Sequence, residues 1–219
     1  MAGLVRVNPL ADFPMPHSRN RNRVLSRREQ ARLLRAAPRD FRAFCLACRE
    51  SGARPQEVRV LAWADLRSEH SPRSLAAALL GGEAYFYLAE HKQRGRMDEG
   101  GPRVIPITPR LGRLLVRLAR RGPQDGEIFR RITGQPWSKC ALCRRMAKLR
   151  EKCSWARKCF GENVVLYTWR HTRATAWAAA GLNLLVLSYA LGHRSAKTTQ
   201  RYVHMTPAML RHALGQLGG

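Results

Sequence analysis

The hydrophobic period of this chain changes twice, and that change limits the folds open to it more than any other feature. From Ser26 the spacing is helical: Ser26 and Glu29 fit a capping box, and Leu33, Leu34 and Ala37 share one side until Pro38. A second helix is predicted from about Asp40, with Phe41, Phe44, Cys45 and Cys48 on one face and Gly52 at its end. Pro55 suits the first turn of a third helix carrying Val58 and Leu61. The period then shortens. AYFYLAEH (84–91) and RVIPI (103–107) are rich in aromatic and β-branched residues and flank QRGRMDEGG, which predicts a β-hairpin with a long tip. Helical spacing returns at Thr108-Pro109 as far as Gly122, and again from about Ser138 into the 150s. VVLY (164–167) reads as strand-like. After it come TWRHTRATAWAAA closed by Gly181, NLLVLSYAL closed by Gly192, the short SAKTTQRY, and a leucine-bearing terminal helix from Pro207. The expected fold is mainly α with a small antiparallel β-sheet (α+β), without internal repeats. Residues 1–25, with Pro9, Pro14, Pro16 and SRNRNR, are expected to form a basic extended arm before a single domain at 26–219.

Charge narrows the partners. Lys and Arg outnumber Asp and Glu by 40 to 15, a formal net charge of +25 spread along the whole chain. A compact body with that much like charge repels itself, so a polyanion is the expected partner: nucleic acid first, an anionic membrane surface second. No signal peptide is legible, because Arg6, Asn8, Asp12 and several prolines interrupt the first apolar residues, and no window is apolar for the ~18 residues a membrane helix needs. A cytoplasmic location follows as an expectation, with Cys45, Cys48, Cys140, Cys143, Cys153 and Cys159 as reduced thiols. Cys140-x-x-Cys143 is a zinc half-site that Cys153 and Cys159 could complete. The same stretch also reads as a basic amphipathic helix with incidental thiols, and the reading adopted is no metal. Lys139 to Lys158 holds eight Lys or Arg and one acid, Glu151. Arg144, Arg145, Lys148, Arg150 and Lys152 are therefore the candidate DNA-backbone contacts.

Four segments carry the chemistry. SGARPQEVRVLAWADL puts Arg54 just after a helix-ending glycine, and EHKQRGR puts Lys92 at the end of a strand. YTWRHT supplies Arg170, and LGHRSAKTTQRY supplies His193 and Tyr202. In LGHRSAKTTQRY, Gly192 closes one helix and Ser195 can cap the next, so the turn aims His193 and Tyr202 at one region. In order and spacing these segments resemble the tyrosine recombinase (phage integrase) family over roughly residues 26–210. The resemblance implies that Arg54 and Arg170 are the active-site arginines, Lys92 the hairpin lysine, His193 the late histidine and Tyr202 the nucleophile. One position departs: the family commonly has His three residues before its second arginine, and Tyr167 stands there. Tyrosine can donate to a phosphate oxygen, but with an ordinary pKa of about 10 it accepts protons poorly near neutrality, so an altered pH dependence is expected.

Phosphodiester chemistry asks for these residue types on its own terms. It needs a nucleophile, cationic donors for charge growing on the non-bridging oxygens, and an acid for the leaving 5′ oxygen. Two guanidiniums present planar forks of donors, so no cofactor or metal is required. Taken singly, each residue has a plainer role. One arginine among so many basic residues is ordinarily a surface group, Tyr202 a packing tyrosine, and Lys92 competes with Arg94 and Arg96 on one hairpin. Glu57 is read as orienting a basic or backbone group, His171 as a buried structural donor and His204 as surface. The resemblance implies a site-specific DNA recombinase or integrase acting on double-stranded DNA, self-associating there as dimer or tetramer, and associated with the nucleoid. It also implies an N-terminal core-binding clamp for which residues 1–25 leave no room, so weak, salt-sensitive DNA binding by a fragment, a minimal form or an inactive relic is expected. The rival readings are type IB topoisomerase-like relaxation and a catalytically silent DNA-binding relic.

Overall fold

The computed structural model describes residues 23–68, 75–89, 102–153, 164–193, 196–200 and 202. Helix α1 (Arg27–Ala36) opens with the expected capping box: Ser26 Oγ accepts from Glu29 N while Glu29 Oε2 accepts from Ser26 N. Its lead-in is already part of the body, since Leu25 is buried and its N–H donates to Thr172 Oγ1 at 3.0 Å. Helix α2 (Arg39–Ser51) buries Phe41, Phe44, Cys45 and Cys48, the face its spacing predicts, and closes on Gly52. Phe41 and Phe44 pack against Trp137, with ring centroids 5.7 and 6.4 Å away, to make the aromatic centre of the core. Burial pushes the Cys45 and Cys48 thiols well up from their ordinary range, so both are protonated core residues.

Helix α3 (Pro55–Val60) leads through a 3-10 turn at 63–65 into strand β1 (Leu66–Ser68). Helix α4 (Leu75–Gly81), strand β2 (Ala84–Leu88), strand β3 (Arg103–Pro106) and helix α5 (Pro109–Ala119) follow. The sheet is antiparallel in the order β1-β2-β3, with Leu66 opposite Phe86 and Phe86 opposite Ile105. Pro106 has no N–H for a ladder and lies on an edge strand, where none is needed. Helix α6 (Lys139–Lys152), helix α7 (Leu166–Ala179), helix α8 (Leu184–Leu191) and helix α9 (Ala196–Gln200) complete the described chain. The mainly helical α+β class is as expected, and no helix among the described residues is long and apolar enough to cross a membrane.

Three local readings are corrected. VVLY is no strand: Val164 and Val165 are lead-in, and Leu166 and Tyr167 begin α7. Thr168 Oγ1 accepts from Val165 N at 3.0 Å, which gives the backbone a helix-start bond in place of a ladder partner. Helix α5 stops at Ala119, short of Gly122. Strand β1 and helix α4 lie where no element is expected from sequence, because three residues are too few to show a period and the α4 run is apolar on every side. The hairpin tip and the terminal helix from Pro207 lie outside the described residues.

Helices α4 and α5 touch at backbone distance. A Cβ on Gly112 would stand 1.9 Å from the Leu79 carbonyl oxygen, so only glycine lets the two helices meet. Gly112→Ala is expected to lower unfolding stability by ~1–3 kcal/mol, read as a drop in urea midpoint at unchanged m-value.

Candidate active site

Arg54 follows the Gly52 stop and is the residue before α3, extended at φ −65° and ψ 141°. Glu57, one turn on, holds it twice: Oε2 accepts from Arg54 N at 2.8 Å and Oε1 from Arg54 Nη1 at 2.7 Å. Arg54 Nη2 reaches across the chain to Gly192 O at 3.0 Å. The expectation that Glu57 orients a basic and a backbone group describes this geometry.

Arg170 projects from α7 and is fully buried. Its Nη1 donates to Gly52 O at 3.0 Å and its Nη2 to Leu191 O at 2.7 Å, with His193 Nε2 at 2.8 Å. Burial lowers its pKa from the ordinary arginine value. Because a guanidinium only donates, His193 Nε2 is the acceptor of that pair. The ring proton then sits on Nδ1, 2.7 Å from Thr199 Oγ1, which also accepts from Ser188 Oγ at 2.7 Å. This is a neutral imidazole held in one tautomer.

The two arginines converge because α8 ends between them. The last carbonyls of a helix have no partner within it. Gly192 turns the chain away at φ +65°, and those carbonyls are left facing the guanidiniums. A third arginine uses them as well. Arg103, on β3, donates Nη1 to Tyr189 O at 2.9 Å and Nη2 to Ala190 O at 2.6 Å, and its Nε lies 3.8 Å from Glu57 Oε2. Arg103 was not foreseen. Its signal was legible: in RVIPI it is in phase with Ile105 and Ile107, both buried, so the alternation places an arginine on the core face.

Tyr202 joins this cluster from the chain end. Its ring is buried, parallel to that of His193 with centroids 6.2 Å apart, and 5.4 Å from that of His171. Ala174, Ala178, Leu187 and Leu191 share its pocket. His171 is buried as expected, edge-on to Tyr167 at 5.1 Å, and Tyr167 is half-exposed with the Arg170 guanidinium 5.8 Å from its ring centre. The structure therefore gathers Arg54, Tyr167, Arg170, His193 and Tyr202 around one turn. Lys92 and His204 lie outside the described residues.

Helix α6 buries Leu142, Met146 and Leu149, and its basic residues divide around that stripe. Arg144, Lys148 and Lys152 recur every fourth residue and are exposed, with Arg145 half-buried beside them. Arg150 falls on the other flank and donates to Val164 O at 3.2 Å, which takes it out of the proposed row. Cys140 and Cys143 are exposed and Cys153 is buried; Cys159 lies outside the described residues. Among the described residues no group of three or more His, Cys, Asp or Glu could hold a metal ion.

The phage integrase family profile matches residues 23–209, most of the chain and every element above. The chain belongs to the phage integrase family. It is similar at 24% identity over 169 residues to a Pseudomonas phage Pf1 protein with an inferred integrase designation, covering 77% of this chain and 40% of that protein. The chain thus spans less than half the length of that relative. Its fold is similar to that of the Tn1549 transposon integrase solved with circular intermediate DNA, at TM-score 0.67 and 17% identity over 91% of this chain and 68% of the other. XerA recombinase matches at TM-score 0.58 and 21% identity (98% and 70%), and the bacteriophage HP1 integrase catalytic domain at 0.57 and 20% (88% and 93%).

One carboxylate faces two of the three arginines, the buried Arg103 and the partly exposed Arg54, so its loss removes the counter-charge of both. Glu57→Gln is expected to cost roughly 1.5–3 kcal/mol of unfolding stability, the range for losing a hydrogen bond to a charged group, measured by urea titration.

Proposed function

We propose that this member of the phage integrase family is a DNA strand transferase that cuts and rejoins double-stranded DNA through Tyr202. The observation that carries the reading is the convergence of Arg54, Arg170, His193 and Tyr202 on the turn after α8. The Tyr202 oxygen attacks the scissile phosphorus, the P–O5′ bond breaks, and a 3′-phosphotyrosyl link forms. The tyrosine gives up its proton and the departing 5′ oxygen gains one. Religation reverses the step, with the 5′ hydroxyl of another strand as nucleophile, so no ATP is consumed.

Arg54 binds the phosphate most directly. It commits one N–H to Glu57 and one to Gly192, and keeps further donors on a partly exposed side chain. Arg170 supplies charge from beneath and, by donating to Nε2, holds His193 in the Nδ1–H tautomer with its ring stacked beside the nucleophile. Packing against α7 and α8 orients the Tyr202 ring before substrate arrives, which reduces the entropy to be lost at the reacting atoms. Tyr167 donates to a phosphate oxygen from the edge of the site, and Lys92 protonates the leaving oxygen. The α6 row of Arg144, Arg145, Lys148 and Lys152 contacts the DNA backbone, self-association takes place on DNA, and the place of action is the cytoplasmic nucleoid.

With a nicked suicide duplex, wild type is expected to form a detergent-stable protein-DNA adduct and Tyr202→Phe none. Arg54→Ala is expected to slow adduct formation by about 10²–10³-fold, as loss of a transition-state charge donor does. A wild type that binds DNA but yields no adduct on any duplex would be a silent binder.

Binding itself should be salt-steep. Arg144→Ala and Lys148→Ala are each expected to lower the slope of log K against log salt by about 1, in fluorescence anisotropy titrations. Arg150→Ala is expected to change it less, because that guanidinium is bonded to the chain.

A further inference from the structure

Arg103 lies among the most buried charged residues of the fold, 4% exposed, so it is closed off from DNA. Its guanidinium nonetheless touches the end of α8, its own strand and Glu57. It binds the carbonyls of Tyr189 and Ala190, the last turn of α8, and that of Val104 on its own strand. Its side chain also lies directly under Gly192: a Cβ there would come within 2.7 Å of Arg103 Nε and 3.0 Å of Cζ. The backbone that passes over Arg103 then hands Gly192 O to Arg54 and continues into His193. Displacing that guanidinium moves the acceptor of one active-site arginine and the imidazole next to the nucleophile together.

The charges make a second link. Glu57 Oε1 is paired with Arg54 at 2.7 Å, and Glu57 Oε2 faces Arg103 Nε at 3.8 Å. A single carboxylate shared between two cations cancels neither, so positive charge remains on Arg54 for an incoming anion. Burial lowers the Arg103 pKa to about 10, which still leaves it a cation at neutral pH.

We propose that Arg103 is a positioning residue of the phosphate site, which seats the Gly192–His193 turn and keeps Glu57 from neutralising Arg54, without contacting substrate. This rests on the strand-transfer reading for its effect on rate, though not for its effect on geometry. Arg103→Lys keeps the charge but lacks the planar fork that spans two successive carbonyls, and Arg103→Met keeps the stem alone.

The test uses the full chain with either substitution. Both variants are expected to unfold cooperatively in urea and to bind duplex DNA within about threefold of wild type, since the phosphate contacts are untouched. Single-turnover adduct formation on the nicked duplex is expected to fall about a hundredfold, the effect of a misplacement near 1 Å, with Arg103→Lys recovering less than about tenfold of it. The ¹⁵N spectrum of the His193 ring, recorded without DNA, is expected to change from one Nδ1–H tautomer to a mixture. Wild-type rates in folded variants, rate losses that only track DNA affinity, an unchanged His193 tautomer, or failure of both variants to fold would each overturn the proposal. If wild type itself forms no adduct, strand transfer is wrong, and the His193 spectrum alone decides the role of Arg103.

Discussion

The site depends on the carbonyls at the end of one short helix. Helix α8 stops at Leu191, and the oxygens of Tyr189, Ala190, Leu191 and Gly192 accept from Arg103, Arg170 and Arg54. A buried guanidinium needs acceptors, and a helix C-terminus needs donors. Each solves the other's desolvation problem without neutralising the charge. Carboxylates would have bound these arginines more strongly and left little positive potential; neutral carbonyls hold them in place and leave it. Glu57 is the exception, and it is shared.

Much of this frame was legible in the sequence because it rests on local signals. The Gly52 and Gly192 stops, the Ser26 capping box and Pro55 at the start of α3 each work within a few residues, and the structure has them where the sequence places them. The resemblance also named the residues that meet around the turn, with Lys92 outside the described part. The misses are non-local. VVLY has strand composition, but a strand needs a neighbour, and the chain supplies a helix start at Thr168 instead. Arg150 sits in a basic run like its neighbours, yet Val164 O, supplied from outside the helix, takes it out of the row. Arg103 went unassigned because its role lies in carbonyls more than eighty residues away. The alternation of RVIPI nevertheless marked it as an arginine facing inwards.

His193, stacked beside Tyr202, has its tautomer fixed from both sides. Arg170 can only donate to Nε2, and the Thr199 hydroxyl, backed by Ser188, receives Nδ1–H. Thr199 thus acquires a physical reason: it is fully buried, and its oxygen fixes the state of a ring six positions before it. Tyr167 fits the same economy of protons. With an imidazole already held beside Tyr202, strand transfer as proposed asks of the residue at the rim only that it donate, which a phenol can do.

Tyr202 is packed in a small cluster with Ala174, Ala178, Leu187 and Leu191, separate from the larger core built on Phe41, Phe44 and Trp137. Stability in such a fold is not uniform: a satellite held by few apolar groups opens at a fraction of the cost of global unfolding. The Tyr202 ring is therefore anchored to a minor annex of the molecule. Leu187 and Leu191 of α8 belong to the same cluster, so the Tyr202 ring and the carbonyls that hold the arginines share one small apolar anchor.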